Sequence, residues 1–348
     1  MHPIRFAISL AAVGLLLSGC DNAIYDYDPD CLEGLELKFV YDYNMEWADA
    51  FPAKVHCLTV LVYDQEGTLV ERRTEASEVL QDPNYRMTID LPEGSYHIAA
   101  YGGMECDDAT FAFDQDLSST LNSERTVSLT APKRSPEGLL YADYLLHDHF
   151  HGMIDVDVAE ADLQYTTATV EMMKNTNNFR IILQQVDGSP LNSADFNITI
   201  TDDNIRFAHD NSLLANDEAI TYQPWSKGQT AVGTNDAGED WMVAHYDLST
   251  SRLIQRTSRA GADPGTSSVD SPQLKITKAE TGETIADLPI INYLLLMKGD
   301  HYTGLGNQEF LDRQSQWNVT LFLDKNLSWI NAYIVVNDWV VRINDIDQ

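Results

Sequence analysis

Leu35-Glu36-Leu37-Lys38-Phe39-Val40-Tyr41-Asp42 decides the class of fold, because Leu35, Leu37, Phe39 and Tyr41 share one phase of a period of two while Glu36, Lys38 and Asp42 share the other. Successive side chains of an extended backbone point to opposite faces, so the stretch predicts a half-buried β-strand. The same pattern recurs outward along the chain. Tyr85, Met87, Ile89 and Leu91 alternate with Arg86, Thr88 and Asp90, and Tyr96, Ile98 and Ala100 follow the turn Pro92-Glu93-Gly94. Val55 to Tyr63 is apolar in both phases, which marks a strand covered on both faces, and Asp64-Gln65-Glu66-Gly67 supplies the turn after it. In the second half Ala168-Val170-Met172, Phe179-Ile181-Leu183, Phe196-Ile198-Ile200 and Trp317-Val319-Leu321-Leu323 keep the period. Pro289 to Met297, with Ile290, Tyr293, Leu294 and Met297 on one side, predicts a short helix, and Arg259 to Ser271 reads as a surface loop.

Short alternating strands separated by turns predict an all-β chain built of sandwiches. With 348 residues and 44% hydrophobic content there is material for two cores. The expected joint lies where the run Met153–Val158 ends in the acidic Glu160-Ala161-Asp162, before alternation resumes at Thr167. The expected division is therefore 32–162 and 163–348. The balance of 54 acidic against 22 basic side chains, a formal charge of −32, excludes a large phosphate-backbone contact and hence nucleic acid as a partner.

Ahead of the first strand, His2 and Arg5 precede an apolar run from Phe6 to Leu17 that closes in Leu17-Ser18-Gly19-Cys20. The run is a secretory signal, too short for a hydrocarbon core that needs about 20 helical residues. Leu-Ser-Gly-Cys resembles the bacterial lipobox, so residues 1–19 are expected to be removed and Cys20 to carry the lipid, holding the protein at the outer membrane; residues 20–31 form a polar linker. Cys31, Cys57 and Cys106 then remain in a compartment where disulfides form. Cys57 with Cys106 is the favoured pair, Cys31 with either being the alternative.

Several segments behind the lipobox together resemble one family, the fimbrillin-associated anchor subunits of type V pili. They are Cys31-Leu32-Glu33-Gly34-Leu35 leading into Phe39-Val40-Tyr41-Asp42-Tyr43-Asn44-Met45, then Leu61-Val62-Tyr63-Asp64-Gln65-Glu66-Gly67, Leu91-Pro92-Glu93-Gly94-Ser95-Tyr96 and Ala100-Tyr101-Gly102-Gly103. Leu146-His147-Asp148-His149-Phe150-His151-Gly152, Gln308-Glu309-Phe310-Leu311-Asp312-Arg313-Gln314 and the closing Asn337-Asp338-Trp339-Val340-Val341 complete the set. The resemblance implies two tandem transthyretin-like β-sandwich domains, a lipid anchor, no enzymatic activity, and a basal role that fixes a fimbria to the cell and limits its length. It also implies association with a pilin subunit by strand pairing. Arg72-Arg73 stands where a pilin-type cleavage site could be sought, but it lies beyond the first strands and reads as a solvated loop.

The terminal strands, Ile330 to Val336 and Trp339 to Ile343, are the expected partner edge, with Trp339, Val340, Val341, Arg342 and Ile343 as the pairing residues. His147, His149 and His151 alternate and could face one side, yet their setting fits interdomain packing better than a metal. No phosphate loop, nucleophile elbow or His-Glu-x-x-His motif occurs, so neither a cofactor nor a small-molecule substrate is expected. The six tryptophans suggest a competing reading, a surface glycan-binding lipoprotein or adhesin, although Trp317 and Trp339 fall in core phase.

Overall fold

The structure is a computed structural model and describes residues 34–159, 165–214, 218–234, 238, 240–256, 271–298, 302–330, 333–336 and 339–342. The signal, Cys20, the linker and Cys31 lie outside the described residues, as does nearly all of the 259–271 stretch. The chain is all-β as expected, and the strands among the described residues lie in five sheets. An outer sheet of three strands, ordered Thr166–Glu171, Leu35–Val40 and Met87–Ile89, packs on an inner sheet of five, ordered Met173–Lys174, Phe150–Val158, Gly94–Gly102, Leu58–Tyr63 and Leu69–Glu75. Leu35, Leu37, Phe39 and Ile89 from the first meet Leu58, Val60, Val62, Ile98 and Ala100 from the second in one buried cluster.

The Leu58–Tyr63 strand shows why a continuous apolar run was needed there. All six of its residues are buried. Leu58, Val60 and Val62 face the outer sheet, whereas Leu61 and Tyr63 enter a second, larger core. That second core fills the space between two six-stranded sheets and a small sheet of Arg206–Ala208, Thr126–Leu129 and Phe111–Phe113. A C-terminal sheet runs Ser226–Thr234, Asp240–Ser251, Thr176–Gln185, Gln316–Leu323, Tyr333–Val336 and Trp339–Arg342. A facing sheet runs Thr284–Pro289, Gln273–Lys278, Phe196–Asp202, Ile220–Tyr222, Leu140–Ala142 and Lys133–Arg134. Phe179, Ile181, Leu183, Trp317, Val319 and Leu321 point inward from the former toward Ile198, Ile200, Leu274 and Ile276 of the latter.

The expected joint at 162/163 is crossed in both directions. Thr166–Glu171 pairs in parallel with Leu35–Val40, lengthening an outer sheet whose other neighbour is only three residues long. Lys133–Arg134 and Leu140–Ala142 instead extend the facing sheet, the latter in parallel with Ile220–Tyr222. The acidic 160–162 segment lies outside the described residues, and the inner and C-terminal sheets divide nearer Asn175, between Met173–Lys174 and Thr176–Gln185. Arg72 and Arg73 lie in the exposed edge strand Leu69–Glu75 and not in a loop. Its paired register with Leu58–Tyr63 explains the correction, since a hairpin partner imposes strand geometry on residues of any polarity.

Two turns explain recurrent motifs. Tyr96 donates its hydroxyl hydrogen to the Pro92 carbonyl at 2.9 Å, closing the Pro-x-Gly-x-Tyr turn on itself. Gly103 has φ +74°, and a Cβ there would lie 2.0 Å from the Asp148 carbonyl oxygen, so no other residue fits the approach of these two loops. The expected helix is Ile290–Leu296, burying Ile290, Ile291, Tyr293 and Leu294.

Candidate functional site

An anchor of one polypeptide to another through backbone pairing needs an open strand edge, so the sheet margins are the place to look. Among the described residues the Trp339–Arg342 strand closes the C-terminal sheet at one margin, paired with Tyr333–Val336 through the register Tyr333↔Arg342 to Val336↔Trp339. Tyr333–Val336 is in turn held by a short antiparallel ladder, Val319↔Val336 and Thr320↔Val335, to the buried Gln316–Leu323 strand. The terminal hairpin thus hangs on two register positions. Ile343 lies outside the described residues.

The margin of the inner sheet has a different character. Leu69–Glu75 carries Glu71, Arg72, Arg73 and Glu75, and Arg72 pairs with Glu105 across the rim. Glu105 also accepts a hydrogen bond from the Thr59 hydroxyl at 3.1 Å. Its neighbour Cys106 is bonded to Cys57 with Cα atoms 6.2 Å apart, which ties the Glu105 loop to the start of the Leu58–Tyr63 strand.

The histidine run sits where strands of the two halves meet, beside Tyr101 and Phe111. His147 is half-exposed beside Asp108 at 3.1 Å. His149 and His151 are buried, and both rings pack against Tyr101. His149 stacks on Phe111 with centroids 4.6 Å apart, and His151 meets Tyr101 edge-on at 5.0 Å. Nε2 of both rings is buried without a hydrogen-bond partner. Burial pushes both imidazoles down to about 3, helped for His149 by His151 and for His151 by Arg125, so both are neutral at ordinary pH. Among the described residues no cluster of metal-ligating side chains forms there or elsewhere.

Two cations that the sequence reading passed over hold this joint. Arg125 is 1% exposed, donates from Nε to the Tyr101 hydroxyl at 2.8 Å and from an Nη to the His209 carbonyl at 3.0 Å, and bonds the Asn122 side chain. Its guanidinium also lies over the Tyr63 ring. The sign was present in the sequence: Arg125 shares the phase of the buried Val127 and Leu129, a position where an arginine must find partners indoors. Arg313, from the Asn307–Arg313 helix, is packed between Tyr43 and Trp47 and donates to the Asp42 and Asn44 carbonyls. Trp47 adopts φ +54°, a strained backbone for a bulky residue, which that stacking offsets. Nearby, Lys174 contacts Asp148 at 2.7 Å; burial pulls the ammonium below its usual range and the carboxylate opposes it. Asn175 and Asn211 exchange reciprocal amide bonds at 2.7 and 3.0 Å.

The two halves are therefore held together by polar contacts of Arg125, Lys174, Asn175, Asn211 and Arg313. Among the described residues no helix is long and apolar enough to cross a membrane.

A family profile described as fimbrillin-A associated anchor proteins Mfa1 and Mfa2 matches residues 27–345. Among solved structures, a candidate adhesin from Bacteroides thetaiotaomicron is 44% identical, with a TM-score of 0.80 over 90% of this chain and 99% of its own. A candidate polysaccharide-binding protein of the same organism is 29% identical, with a TM-score of 0.72 over 90% and 99%. The fimbrial anchor protein Mfa2 from Porphyromonas gingivalis shares the fold at 16% identity, with a TM-score of 0.62 over 89% and 98%. A comparison with curated proteins finds no match.

Proposed function

The chain belongs to the fimbrillin-A associated anchor proteins, and on that premise we propose that it is a lipidated basal subunit that holds a fimbria to the outer membrane. Acylation of Cys20 supplies the membrane end of the tether. The Trp339–Ile343 segment supplies the protein end, where a strand of a pilin subunit adds to the open margin of the C-terminal sheet. By occupying the base of the fibre and offering no further site for addition, the subunit also limits its length. The role is structural and requires no catalysis.

The observation that carries this reading is the terminal strand itself. Trp339-Val340-Val341 is apolar in sequence and, among the described residues, pairs on one side, through a hairpin joined to Gln316–Leu323 at Val319↔Val336 and Thr320↔Val335. An edge of that kind offers unpaired backbone groups to a partner, and the partner's ladder satisfies them.

Two variants test the two ends separately. Deleting residues 339–348 is expected to shed fimbriae into the medium while the lipoprotein stays with the membrane. Cys20→Ser is expected to release the protein and its fimbriae together. Fimbriae retained at the cell after the deletion would reject the assignment of the edge, and a Cys20→Ser protein still partitioning with the outer membrane would reject the tether.

A further inference from the structure

The solvent face of the C-terminal sheet carries rows of polar side chains on its interior strands. Strand register aligns its side chains into cross-strand rows. Arg180 stands opposite Asp247 on one neighbour and Asn318 on the other, and Asn178 stands opposite Ser249 and Gln316. The intervening residues Phe179, Leu248 and Trp317 point into the core, so both polar rows face outward together. At one end of the rows stands Trp225, 40% exposed. Its indole N–H donates to the Ser249 hydroxyl at 3.1 Å, and that hydroxyl donates to the Asn178 side-chain oxygen at 2.8 Å. The ring is thereby held at a set angle with a face open to solvent. Arg180 and Asp247 form a two-point pair at 2.7 and 3.1 Å.

These groups line a hollow of 340 Å³, with Leu145 on its rim. A second hollow of 320 Å³ adjoins it, sharing Leu145 and Asn178 and ending on the His147–Asp108 pair. The volumes fall in the range of small-ligand sites, about 300–1,000 Å³. We propose that this trough binds a neutral oligosaccharide, with a sugar ring lying on Trp225 and its hydroxyls bonded to the polar rows.

The chemistry selects that occupant. The strands beneath are interior to the sheet, so their backbone groups are already laddered and an added polypeptide strand gains nothing from them. What remains is an aromatic face for the apolar C–H side of a ring, beside fixed amides and an ion pair that both donate and accept. Arg180 is matched by Asp247 and His147 by Asp108, and although Lys54 lines the far end of the second hollow beside Asp148, the chain's charge of −32 repels an acidic glycan.

The inference does not depend on the anchor reading, and its test is separate. The full chain in detergent micelles is titrated with neutral gluco-, manno-, galacto- and xylo-oligosaccharides, read by indole fluorescence and by an immobilised array. At least one neutral series is expected to bind. Trp225→Ala should weaken it about tenfold, equivalent to ~1.4 kcal/mol, whereas Trp225→Phe should preserve it. Asn318→Ala, at an exposed position, should weaken it severalfold with unchanged melting temperature and carries the test if Trp225→Ala misfolds. Absence of binding by every neutral series overturns the inference, as do Trp225→Ala and Asn318→Ala proteins that bind as the parent does. Loss of fimbria capture by Trp225→Ala with no change in sugar binding assigns the trough to a protein contact and overturns it equally.

Discussion

Two sheet margins, Leu69–Glu75 and Trp339–Arg342, present the same kind of backbone groups and invite opposite outcomes. Leu69–Glu75 is a seven-residue edge strand, long enough to template another chain, yet its sequence places Glu71, Arg72, Arg73 and Glu75 along it and fastens Arg72 to a loop that the Cys57–Cys106 bond holds in place. Trp339–Arg342 is short, and three of its four residues are apolar. Pairing at an edge is decided less by exposed N–H and C=O groups, which every edge has, than by whether an incoming strand must desolvate charges to reach them. One margin is closed by charge and the other left open by composition.

The largest expected effect comes from making the open margin resemble the closed one. Val340→Lys with Val341→Lys keeps the backbone but charges the edge, and fimbriae should appear in the medium to the extent seen after deletion of 339–348. Retention of fimbriae by the double-lysine chain would show that composition does not govern the edge. The covalent support of the closed margin comes next. Cys57→Ser with Cys106→Ser opens a loop with a sequence separation of 49, and chain entropy puts the loss at about 4 kcal/mol, measured by chemical denaturation without reductant.

The joint between the two halves gives a smaller, pH-dependent effect. His149 and His151 titrate at about 3 in the folded protein and near 6.5 when unfolded, so between those values the unfolded chain binds more protons. Stability should therefore fall as pH drops from 6.5, by up to ~1.4 kcal/mol per pH unit for each buried ring. Asp202, raised to about 6 by burial with Arg256 opposing, acts in the other direction, since its native state holds the extra proton above the ordinary carboxylate range. Asp203, also raised by burial, acts with Asp202, and the larger displacement of the two rings leaves a net loss toward pH 4. His149→Asn with His151→Asn should flatten that slope, read from denaturation midpoints at pH 7, 5.5 and 4; an unchanged slope would place the acid sensitivity elsewhere.

The smallest effect on stability is expected at the closed margin itself. Arg72→Val with Arg73→Val should change folding free energy by about 0.5 kcal/mol or less, as exposed substitutions do, while light scattering should report self-association. Monomeric behaviour at high concentration would mean that the Glu105 loop blocks this edge without help from the arginines.

Alternation told which residues are covered but not by what. Leu58–Tyr63 was readable as a doubly buried strand, and the source of its second cover, the core built largely from later strands, was not. The acidic 160–162 segment looked like a boundary because polarity marks a turn to the surface, and strands on either side of it then crossed over. The histidines were visible as a cluster, while their stacking on Phe111 and Tyr101 depended on strands that sequence distance had kept apart. Arg125 and Arg313 had weaker signs, a charged residue in an apolar phase and a cation at the end of a short helix.

By itself the sequence determined the period of two, hence an all-β chain with inward and outward faces, and a charge that turns polyanions away. Those properties are local or additive, so they need no knowledge of what lies opposite. Tertiary structure alone decided which strands share a sheet, which edge ends up open, and that two polar rows and Trp225 face the same hollow. Pairing partners are chosen by long-range ladders and shared cores, and a strand's own residues fix its faces without naming its neighbours.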